Sequence, residues 1–298
     1  MEELSSLFAK YSVRLNKRGG QCFLSSNAVA QRIVASANLD PNRDVVLEVG
    51  TGLGFMTRLL AVQAKRVITY EVDDRLVELL EPIVRKIDNV ELRHADVLKE
   101  PLPEFDKVVA NLPFQISGPF LHALLGERGS FNCAVLLLQK EFAERLLELP
   151  GSPRYSRISA WTQFFADVEF LFGVHRNNFF PVPRVDAVAV RIRPRARGLG
   201  KAERARFFEL LRGLFPYKRK RLRNALHHYR RDLSRREVDS MLEEFDAWIW
   251  KNGPAEALPR GREGDDEARA AECVVVNQTP AFFHALAEFV WLSSGGDG

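Results

Sequence analysis

Cysteine is scarce in this sequence, with only Cys22, Cys133 and Cys273 among 298 residues. The three lie far apart and form no closely spaced pair, which argues against a disulfide scaffold and against a cysteine-ligated metal site. Long apolar runs are also missing, because no stretch approaches the roughly 20 residues that a membrane span requires. The first residues lack a basic segment followed by an apolar one. We therefore expect a cytoplasmic protein without membrane association and without a metal.

Acidic residues are nearly absent from one part of the chain. Between Arg191 and Arg231 there are fifteen Lys or Arg residues and only two acids, although the formal net charge is just +4. A local excess of this size exceeds what solubility requires and indicates a surface for a polyanion such as RNA. A helix is predicted over 218–228, and its basic side chains are the expected RNA contacts. These are Lys218, Arg219, Lys220, Arg221 and Arg223.

Short apolar runs alternate with helix-period segments over the first two thirds of the chain. Strands are predicted at 45–49, 66–71, 90–93, 107–111, 133–138, 168–174 and 187–192, with helices at 55–64, 75–86 and 141–149. Such alternation is typical of an α/β fold in which helices cover a mostly parallel sheet. The expected fold is a Rossmann-like domain with seven strands.

The pattern changes after Pro194. Helix-period segments follow at 202–214, 218–228, 234–250 and 280–292, which predicts a small helical C-terminal domain. The expected domains are therefore 1–195 and 196–298. Residues 252–272 are rich in Gly, Pro and charged side chains, so a mobile surface insertion is predicted there.

A glycine-rich loop at 48–54 follows the first clear strand and precedes a helix. Glycines at such a turn let the backbone approach a ligand closely. A dinucleotide fingerprint needs glycine at the sixth position counted from Gly50, and this position holds Phe55. The spacing therefore favours S-adenosyl-L-methionine over a ligand with a pyrophosphate, with Glu48, Gly50 and Gly52 among its contacts.

Two further carboxylates follow the next strands. Glu71 lies 21 residues after Gly50, a distance that suits hydrogen bonds to both ribose hydroxyls. Asp96 follows the third strand and is a candidate acceptor for the adenine amine, while the Val97 amide can read a ring nitrogen. Because open parallel sheets bind ligands along the carboxyl edge of their strands, three acids in succession there predict a cofactor site.

The turn Asn111, Leu112, Pro113 and Phe114 follows the fourth strand and suits methyl transfer to a planar amine. The Asn111 side-chain carbonyl and the Leu112 main-chain carbonyl can accept the two amine hydrogens, and Pro113 fixes the turn. No strong base is required, because positioning supplies much of the acceleration. Phe114 can stack on the target base.

Six motifs in a fixed order, between about Lys17 and Leu226, resemble the small-subunit ribosomal RNA adenine dimethyltransferase family. Besides the glycine loop and the Asn111 turn, they are GQCFL at 20–24, QKE at 139–141, FFPVPRVD at 179–186 and KRLRN at 220–224. The segment PFQISGP at 113–119 is closest to the archaeal and eukaryotic branch.

The resemblance implies roles for matching positions. Gln21, Cys22 and Leu24 would lie against the cofactor, and Phe179 would sandwich the flipped adenine together with Phe114. It further implies a monomer that dimethylates two adjacent adenosines near the 3′ end of small-subunit ribosomal RNA, on a pre-ribosomal small subunit.

Two departures from the family pattern stand out. Cys22 replaces the usual Asn or His, so that its contact must use the main chain or tolerate a thiol, and Thr51 replaces Pro and should loosen the turn.

Three other readings remain open at this point. A large-subunit RNA methyltransferase of the antibiotic-resistance type shares the cofactor and catalytic motifs, although Leu112 and the 220–224 run favour the small-subunit group. A non-catalytic assembly factor would not need an intact Asn111 together with Glu71 and Asp96. A nicotinamide dehydrogenase is disfavoured by the glycine spacing.

Overall fold

The computed structural model describes residues 22–127, 131–197, 199–260 and 268–293. Their contacts divide the chain into two units. Unit 1 contains the residues up to Glu144 together with Ala166–Arg195, and unit 2 contains Arg145–Phe165 together with the chain from Ala196 onward. Residues 145–165 were expected in the first domain, but the aromatic side chains of this segment pack in the core of unit 2. The Trp161 ring stacks on Phe207 with centroids 5.7 Å apart.

Unit 1 is built on a seven-stranded sheet. Its strands are β2 (Val45–Val49), β3 (Arg66–Glu71), β4 (Val90–His94), β5 (Lys107–Asn111), β6 (Cys133–Gln139), β7 (Ala166–Val174) and β9 (Ala187–Pro194). The order is β4-β3-β2-β5-β6-β9-β7, in which the first five strands are parallel and β9 pairs antiparallel with both β6 and β7. The predicted mostly parallel sheet is confirmed.

A separate two-stranded ladder joins two distant segments of unit 1. Strand β1 (Phe23–Leu24) pairs antiparallel with β8 (Phe179–Phe180), so that Phe23 lies opposite Phe180 and Leu24 opposite Phe179. The Ser25 amide continues the ladder by donating to the Asn178 carbonyl at 2.8 Å. This ladder brings the GQCFL and FFPVPRVD motifs side by side.

Five helices accompany the sheet in the described part of unit 1. They are α1 (Asn27–Ser36), α2 (Phe55–Gln63), α3 (Asp74–Val84), α4 (Ser117–Glu127) and α5 (Lys140–Leu147), of which α5 crosses the boundary between the units. Helices α1 and α4 were not predicted. Ser26 caps α1 by accepting from the Val29 amide at 3.3 Å, and Ile33 and Val34 bury its inner face. Pro119 lies in the first turn of α4, where no intrahelical bond to its nitrogen is needed.

Unit 2 is helical. Its helices are α6 (Arg157–Phe165), α7 (Lys201–Leu214), α8 (Leu222–Tyr229), α9 (Arg235–Asn252) and α10 (Pro280–Ser293). The helix predicted over 218–228 is wrong in its first turn. A 3₁₀ turn at Phe215–Tyr217 comes first, and Arg221 is extended, with φ −60° and ψ 148°. The residues on either side of Arg221 form hydrogen bonds with a distant segment and not within a helix. The Leu222 amide donates to the Cys273 carbonyl, and the Lys220 carbonyl accepts from the Val275 amide.

The described parts of the predicted surface insertion are packed into unit 2. Ala257, Ala268 and Ala270 are buried, and the Ala270 amide donates to the Asp246 carboxylate at 2.8 Å. The buried residues are small and apolar. Because Gly, Pro and charged residues surround them in the sequence, the composition of the segment did not indicate their burial. Residues 261–267 lie outside the described residues. None of the helices in the described ranges is both long and apolar enough to cross a bilayer.

Candidate active site

The glycine loop lies at the carboxyl edge of the sheet, between β2 and α2. Gly50, Gly52 and Gly54 have φ values of +81°, +58° and +72°, a region that side chains disfavour. The Gly50 and Thr51 amides both donate to the Tyr70 carbonyl on β3, at 2.9 and 3.2 Å. The loop is therefore held open against β3 by its main chain.

The loop touches the Asn111 turn. A Cβ atom added to Gly50 would lie 3.4 Å from Cδ of Pro113 and 3.8 Å from the Asn111 carbonyl oxygen. This closeness follows from the sheet, because β5 pairs with β2 directly. The predicted cofactor loop and the predicted catalytic turn are thus in contact.

Glu71, at the end of β3, organises the loop electrostatically. Its carboxylate accepts from the Gly52 amide at 3.0 Å, from Val72 at 2.9 Å and from Asp73 at 3.1 Å. It is only 6% exposed, and burial raises its pKa despite these three hydrogen bonds. A carboxylate has about four acceptor positions, so that it retains capacity for a ligand hydroxyl.

Asp96 and Val97 follow β4 on the same edge. The Ala95 amide donates to the Glu71 carbonyl at 3.1 Å, which places this segment beside Glu71. The Asp96 carboxylate accepts from the Leu98 amide at 3.0 Å and remains about one third exposed. The Val97 side chain is buried, so a contact from this residue would come through its main chain.

Glu48 differs from the other predicted cofactor contacts. Its side chain is 1% exposed and points into the fold, where it accepts from the Thr57 hydroxyl at 2.7 Å. Burial raises its pKa to about 7 against the opposing hydrogen bonds from Thr57 and Thr69. Through Thr57, which belongs to α2, the Glu48 carboxylate joins the end of β2 to the helix that follows the glycine loop.

The titration of Glu48 makes the stability of the fold depend on pH. Its ordinary pKa is 4.5, so the folded chain holds a proton that the unfolded chain releases. This contribution is fully present below about pH 4.5 and is lost as the pH rises through about 7, a loss of about 3 kcal/mol. We expect Glu48→Gln to abolish it. Urea unfolding of both proteins at about pH 5 and about pH 8 measures the difference, and equal losses in both would contradict the assignment.

Thr51 tightens the turn, contrary to expectation. Its hydroxyl lies 2.6 Å from the Thr69 hydroxyl on β3, and both groups are buried. Phe23 was also missed: a Cβ on Gly52 would lie 3.2 Å from its ring. Its signal was the GQCFL motif itself, since an apolar residue beside a glycine loop suits close packing.

The Asn111 side chain is oriented by the N-terminal segment. Its amide nitrogen donates to the Cys22 carbonyl at 3.1 Å. Because the amide nitrogen is used here, the side-chain carbonyl is the group left to accept a hydrogen from a substrate amine. This hydrogen bond uses the Cys22 main chain, whereas the contact of Cys22 with the cofactor, which the resemblance implies, stays a prediction. Burial raises the pKa of the half-buried Cys22 thiol.

The rest of the turn is fixed by packing. The Leu112 side chain is buried, so this residue can act only through its main chain. Phe114 begins a short 3₁₀ turn that is closed by a 3.0 Å bond from the Ile116 amide to the Pro113 carbonyl. The Phe114 side chain is half-buried and keeps an accessible portion for a base.

The predicted sandwich between Phe114 and Phe179 is not present. Phe179 is fully buried in a core cluster that includes Leu24 and Phe172, and it has no exposed ring face. Alternation along β8 turns Phe179 inward, while Phe180 packs on the cluster around Phe23. Of the other N-terminal contacts, Leu24 is buried in the same cluster, and Gln21 lies outside the described residues.

Two apolar side chains flank the loop with unusual exposure. Phe55 follows Gly54 and is 42% exposed, and Val72 follows Glu71 and is 63% exposed. Large apolar side chains at such exposure commonly mark a binding surface when they lie together with convergent polar groups.

The basic segment 218–223 does not form the predicted helix with its cations available to RNA. The Lys218 ammonium donates to the carbonyls of Pro153 and Tyr155 at 2.8 and 2.9 Å, so that it serves the fold of unit 2. Arg223 forms an ion pair with Asp239 at 3.4 Å. The side chains of Arg219, Lys220 and Arg221 are exposed.

The chain is similar to known ribosomal RNA methyltransferases. The family model for ribosomal RNA adenine dimethylase matches residues 12–244. The chain belongs to this family. A Thermotoga neapolitana protein named ribosomal RNA small subunit methyltransferase A is 37% identical over 82% of this chain and 95% of its own length. A Methanosarcina acetivorans protein, named probable ribosomal RNA small subunit methyltransferase A, is 39% identical over 74% and 81%.

Solved structures agree with membership of the adenine dimethylase family. A dimethyladenosine transferase from Plasmodium falciparum has a TM-score of 0.70 and 30% identity, covering 92% of this chain and 98% of that one. The 23S rRNA methyltransferase ErmE has a TM-score of 0.59 and 27% identity, over 90% and 98%. The predicted family and the predicted Rossmann-like methyltransferase fold are therefore confirmed, and archaeal relatives occur beside bacterial ones.

Proposed function

We propose that this chain transfers methyl groups from S-adenosyl-L-methionine to the exocyclic amine of adenosine in small-subunit ribosomal RNA, and that it dimethylates each target. One observation carries the proposal. Asn111, whose amide is anchored on the Cys22 carbonyl, lies where the turn containing Pro113 meets the glycine loop at Gly50. An amine acceptor beside a cofactor loop is the arrangement that methyl transfer to adenosine requires.

The residues around the loop fit the cofactor. Gly50 and Gly52 adopt positive φ values that a residue with a side chain would adopt only under strain, and their bare main chain can approach a ligand closely. Glu71 can accept a ribose hydroxyl, and Asp96 can accept from an adenine amine. Phe55 and Val72 offer exposed apolar surface beside them. Gly50, Gly52, Glu71, Asp96 and the main chain of Val97 would together hold the cofactor, with Glu48 joining the end of β2 to α2.

The chemistry supplied at this site is an electrophilic methyl group on a sulfonium, which becomes a thioether when the methyl leaves. The Asn111 side-chain carbonyl and the Leu112 main-chain carbonyl accept the two hydrogens of the target amine. This geometry favours a tetrahedral nitrogen, so its lone pair leaves the ring system and forms the new N–C bond. One proton is released from nitrogen for each methyl gained. Orientation by these acceptors supplies the catalysis without a strong base.

The target base must leave its stack to reach the turn. Extrusion costs a few kcal/mol and is cheapest for unpaired nucleotides. Phe114 would stack on the extruded adenine, a contact worth about 1–3 kcal/mol. Phe179, which is buried, would support the adjoining β1–β8 ladder in this proposal. An RNA loop is therefore the favoured substrate.

We extend the proposal to the family product, two adjacent dimethyladenosines near the 3′ end of the small-subunit RNA. A monomer acting on a pre-ribosomal small subunit in the cytoplasm would make it in four transfers. The basic surface of unit 2 would hold the RNA, with Arg219, Lys220 and Arg221 as contacts. Because ErmE is also similar to this chain, large-subunit RNA is the substrate to test against.

Incorporation of labelled methyl from the cofactor tests the proposal. Purified small subunits that lack the modification should accept about four methyl groups each, and mapping should place them on two adjacent adenosines. Large subunits prepared in the same way serve as the control. Labelling of the large subunit alone would refute the proposed substrate, and no labelling of either would refute the activity.

A further inference from the structure

Unit 2 contains an open cavity of about 680 Å³ that has no part in the proposed methyl transfer. Within the residues that the structure describes, no carboxylate lines it. Its lining residues are Lys220, Asn224, His227, His228, Arg231 and Arg235. They come from the segment before α8, from α8 itself, from the loop after it and from the start of α9. Three permanent cations, two imidazoles and one amide therefore converge on one cavity.

The interior of this cavity is held in a defined geometry. The Tyr217 ring stacks on His228 with centroids 4.6 Å apart and an interplanar angle of 15°. The Lys220 ammonium lies 2.9 Å from Nε2 of His228 and 5.3 Å from the Tyr217 ring centroid. An ammonium can only donate, so His228 accepts here in its unprotonated form. Lys220 is thus positioned over the cavity.

The positive charge of the cavity is not neutralised from within. Arg231 and Arg235 have no carboxylate partner among residues 22–127, 131–197, 199–260 and 268–293. The nearby acids are engaged elsewhere: Asp232 with Arg230, Asp239 with Arg223, and Glu237 with the Ser234 amide. The buried Nδ1 atom of His227 also has no hydrogen-bond partner in the described chain. An anionic ligand would satisfy these groups.

We propose that the cavity lined by Lys220, Arg231 and Arg235 binds a phosphate group of the RNA backbone. The inference rests on the proposed function, since it specifies how unit 2 holds its RNA. Guanidinium groups match phosphate oxygens with paired hydrogen bonds, and Lys220 adds a point charge. The Asn224 amide can donate to a further oxygen. The volume is sufficient for a phosphate with its ribose.

The neighbouring side chains favour a polynucleotide over a free phosphate. Arg219 and Arg221 are exposed on either side of Lys220 in the sequence. A phosphodiester chain that enters the cavity would bring its adjoining phosphates towards such cations, whereas a single phosphate ion would not use them. The cavity therefore fixes one position on the strand, and the flanking arginines follow the backbone.

Binding should be coupled to protonation of His228. Burial lowers the pKa of His228, and the nearby charges of Lys220, His227, Arg231 and Arg235 lower it further. A bound phosphate introduces negative charge and favours the imidazolium form, so the complex takes up a proton. Affinity should therefore rise as the pH falls through about 6.5, the ordinary value below which the pKa of His228 lies in the free chain.

The test uses the full chain, a transcript of small-subunit ribosomal RNA and, separately, inorganic phosphate. We expect Arg231→Gln/Arg235→Gln to weaken RNA binding about tenfold and to reduce the slope of log affinity against log salt by about 1. The matched control is Arg236→Gln/Lys251→Gln, which removes the same charge from exposed positions of α9 outside the cavity. Unchanged cofactor binding by both variants shows that the fold is intact.

The outcomes separate the sources of phosphate. If both double variants have the same RNA affinity and salt slope, the proposal is overturned. If inorganic phosphate shifts the His228 ring resonances in the wild type while RNA binding is insensitive to Arg231 and Arg235, the site takes a free phosphate and the proposal is again overturned. The activity is tested independently. If the wild type methylates neither subunit but the cavity variant alone loses RNA affinity, the proposed activity is refuted and the proposed phosphate site is supported.

Discussion

Asn111→Ala should lower the rate of methyl transfer by about 100-fold to 1,000-fold while the chain still binds its cofactor. The substitution removes the side-chain carbonyl that accepts an amine hydrogen, and the loss of one such transition-state partner costs about 3–4 kcal/mol. It also removes the hydrogen bond to the Cys22 carbonyl, whose loss should cost the fold about 1 kcal/mol. Single-turnover methylation of small subunits and calorimetric cofactor titration measure the two effects separately.

Gln115→Ala is the matched control for Asn111, because Gln115 is exposed on the same turn. Its turnover should change by a few-fold at most. Asn111→Asp provides a second comparison, since it keeps an acceptor but loses the donor that reaches Cys22. If Asn111→Ala retained more than about one tenth of the wild-type rate, the acceptor role would be wrong, since one transition-state partner is worth far more than tenfold.

Glu71→Gln should weaken cofactor binding by about tenfold to 100-fold. The carboxylate accepts from three amides, through Oε2 for Gly52 and through Oε1 for Val72 and Asp73. A side-chain amide has only one acceptor oxygen, so its NH₂ group must oppose at least one main-chain donor. Hydrogen bonds to a charged group contribute about 1.5–3 kcal/mol, and the glycine loop loses its anchor. Calorimetric titration with the cofactor measures the effect.

Glu81→Gln is the control for this substitution. It makes the same chemical change on α3, where Glu81 forms an exposed pair with Arg85 at 2.6 Å. Such a pair contributes about 0.5 kcal/mol or less, and cofactor affinity should be unchanged. Equal affinity of Glu71→Gln and Glu81→Gln for the cofactor would contradict the place of Glu71 in the site.

The sheet could be predicted because its signals are local. The strand Val45–Val49 is apolar at every position except Glu48 and is followed by Gly50, a pattern that has few alternatives. The two helices missed in unit 1 begin with polar or helix-breaking residues, and their placement is decided by tertiary packing. The helix Arg157–Phe165 joins unit 2 through the Trp161 and Phe207 rings. A local sequence pattern cannot predict a contact between residues so far apart along the chain.

The candidate site was predicted in its composition better than in its geometry. The positions of Glu71 and Asn111 could be predicted because each residue ends a strand, and a parallel sheet brings the carboxyl ends of its strands to one edge. The inward turn of Phe179 depends on its register opposite Leu24, and register cannot be read from either segment alone. Lys218 likewise was counted with the RNA contacts because its charge is visible in the sequence, whereas its two carbonyl partners are not.

The contact between Asn111 and Cys22 has a consequence for sequence variation. Because the acceptor is a peptide oxygen, every amino acid at position 22 can supply it, provided that the strand Phe23–Leu24 keeps its register against Phe179–Phe180. Substitution of the side chain at this position should therefore be tolerated. Replacing Cys22 with serine should leave the rate of methyl transfer unchanged.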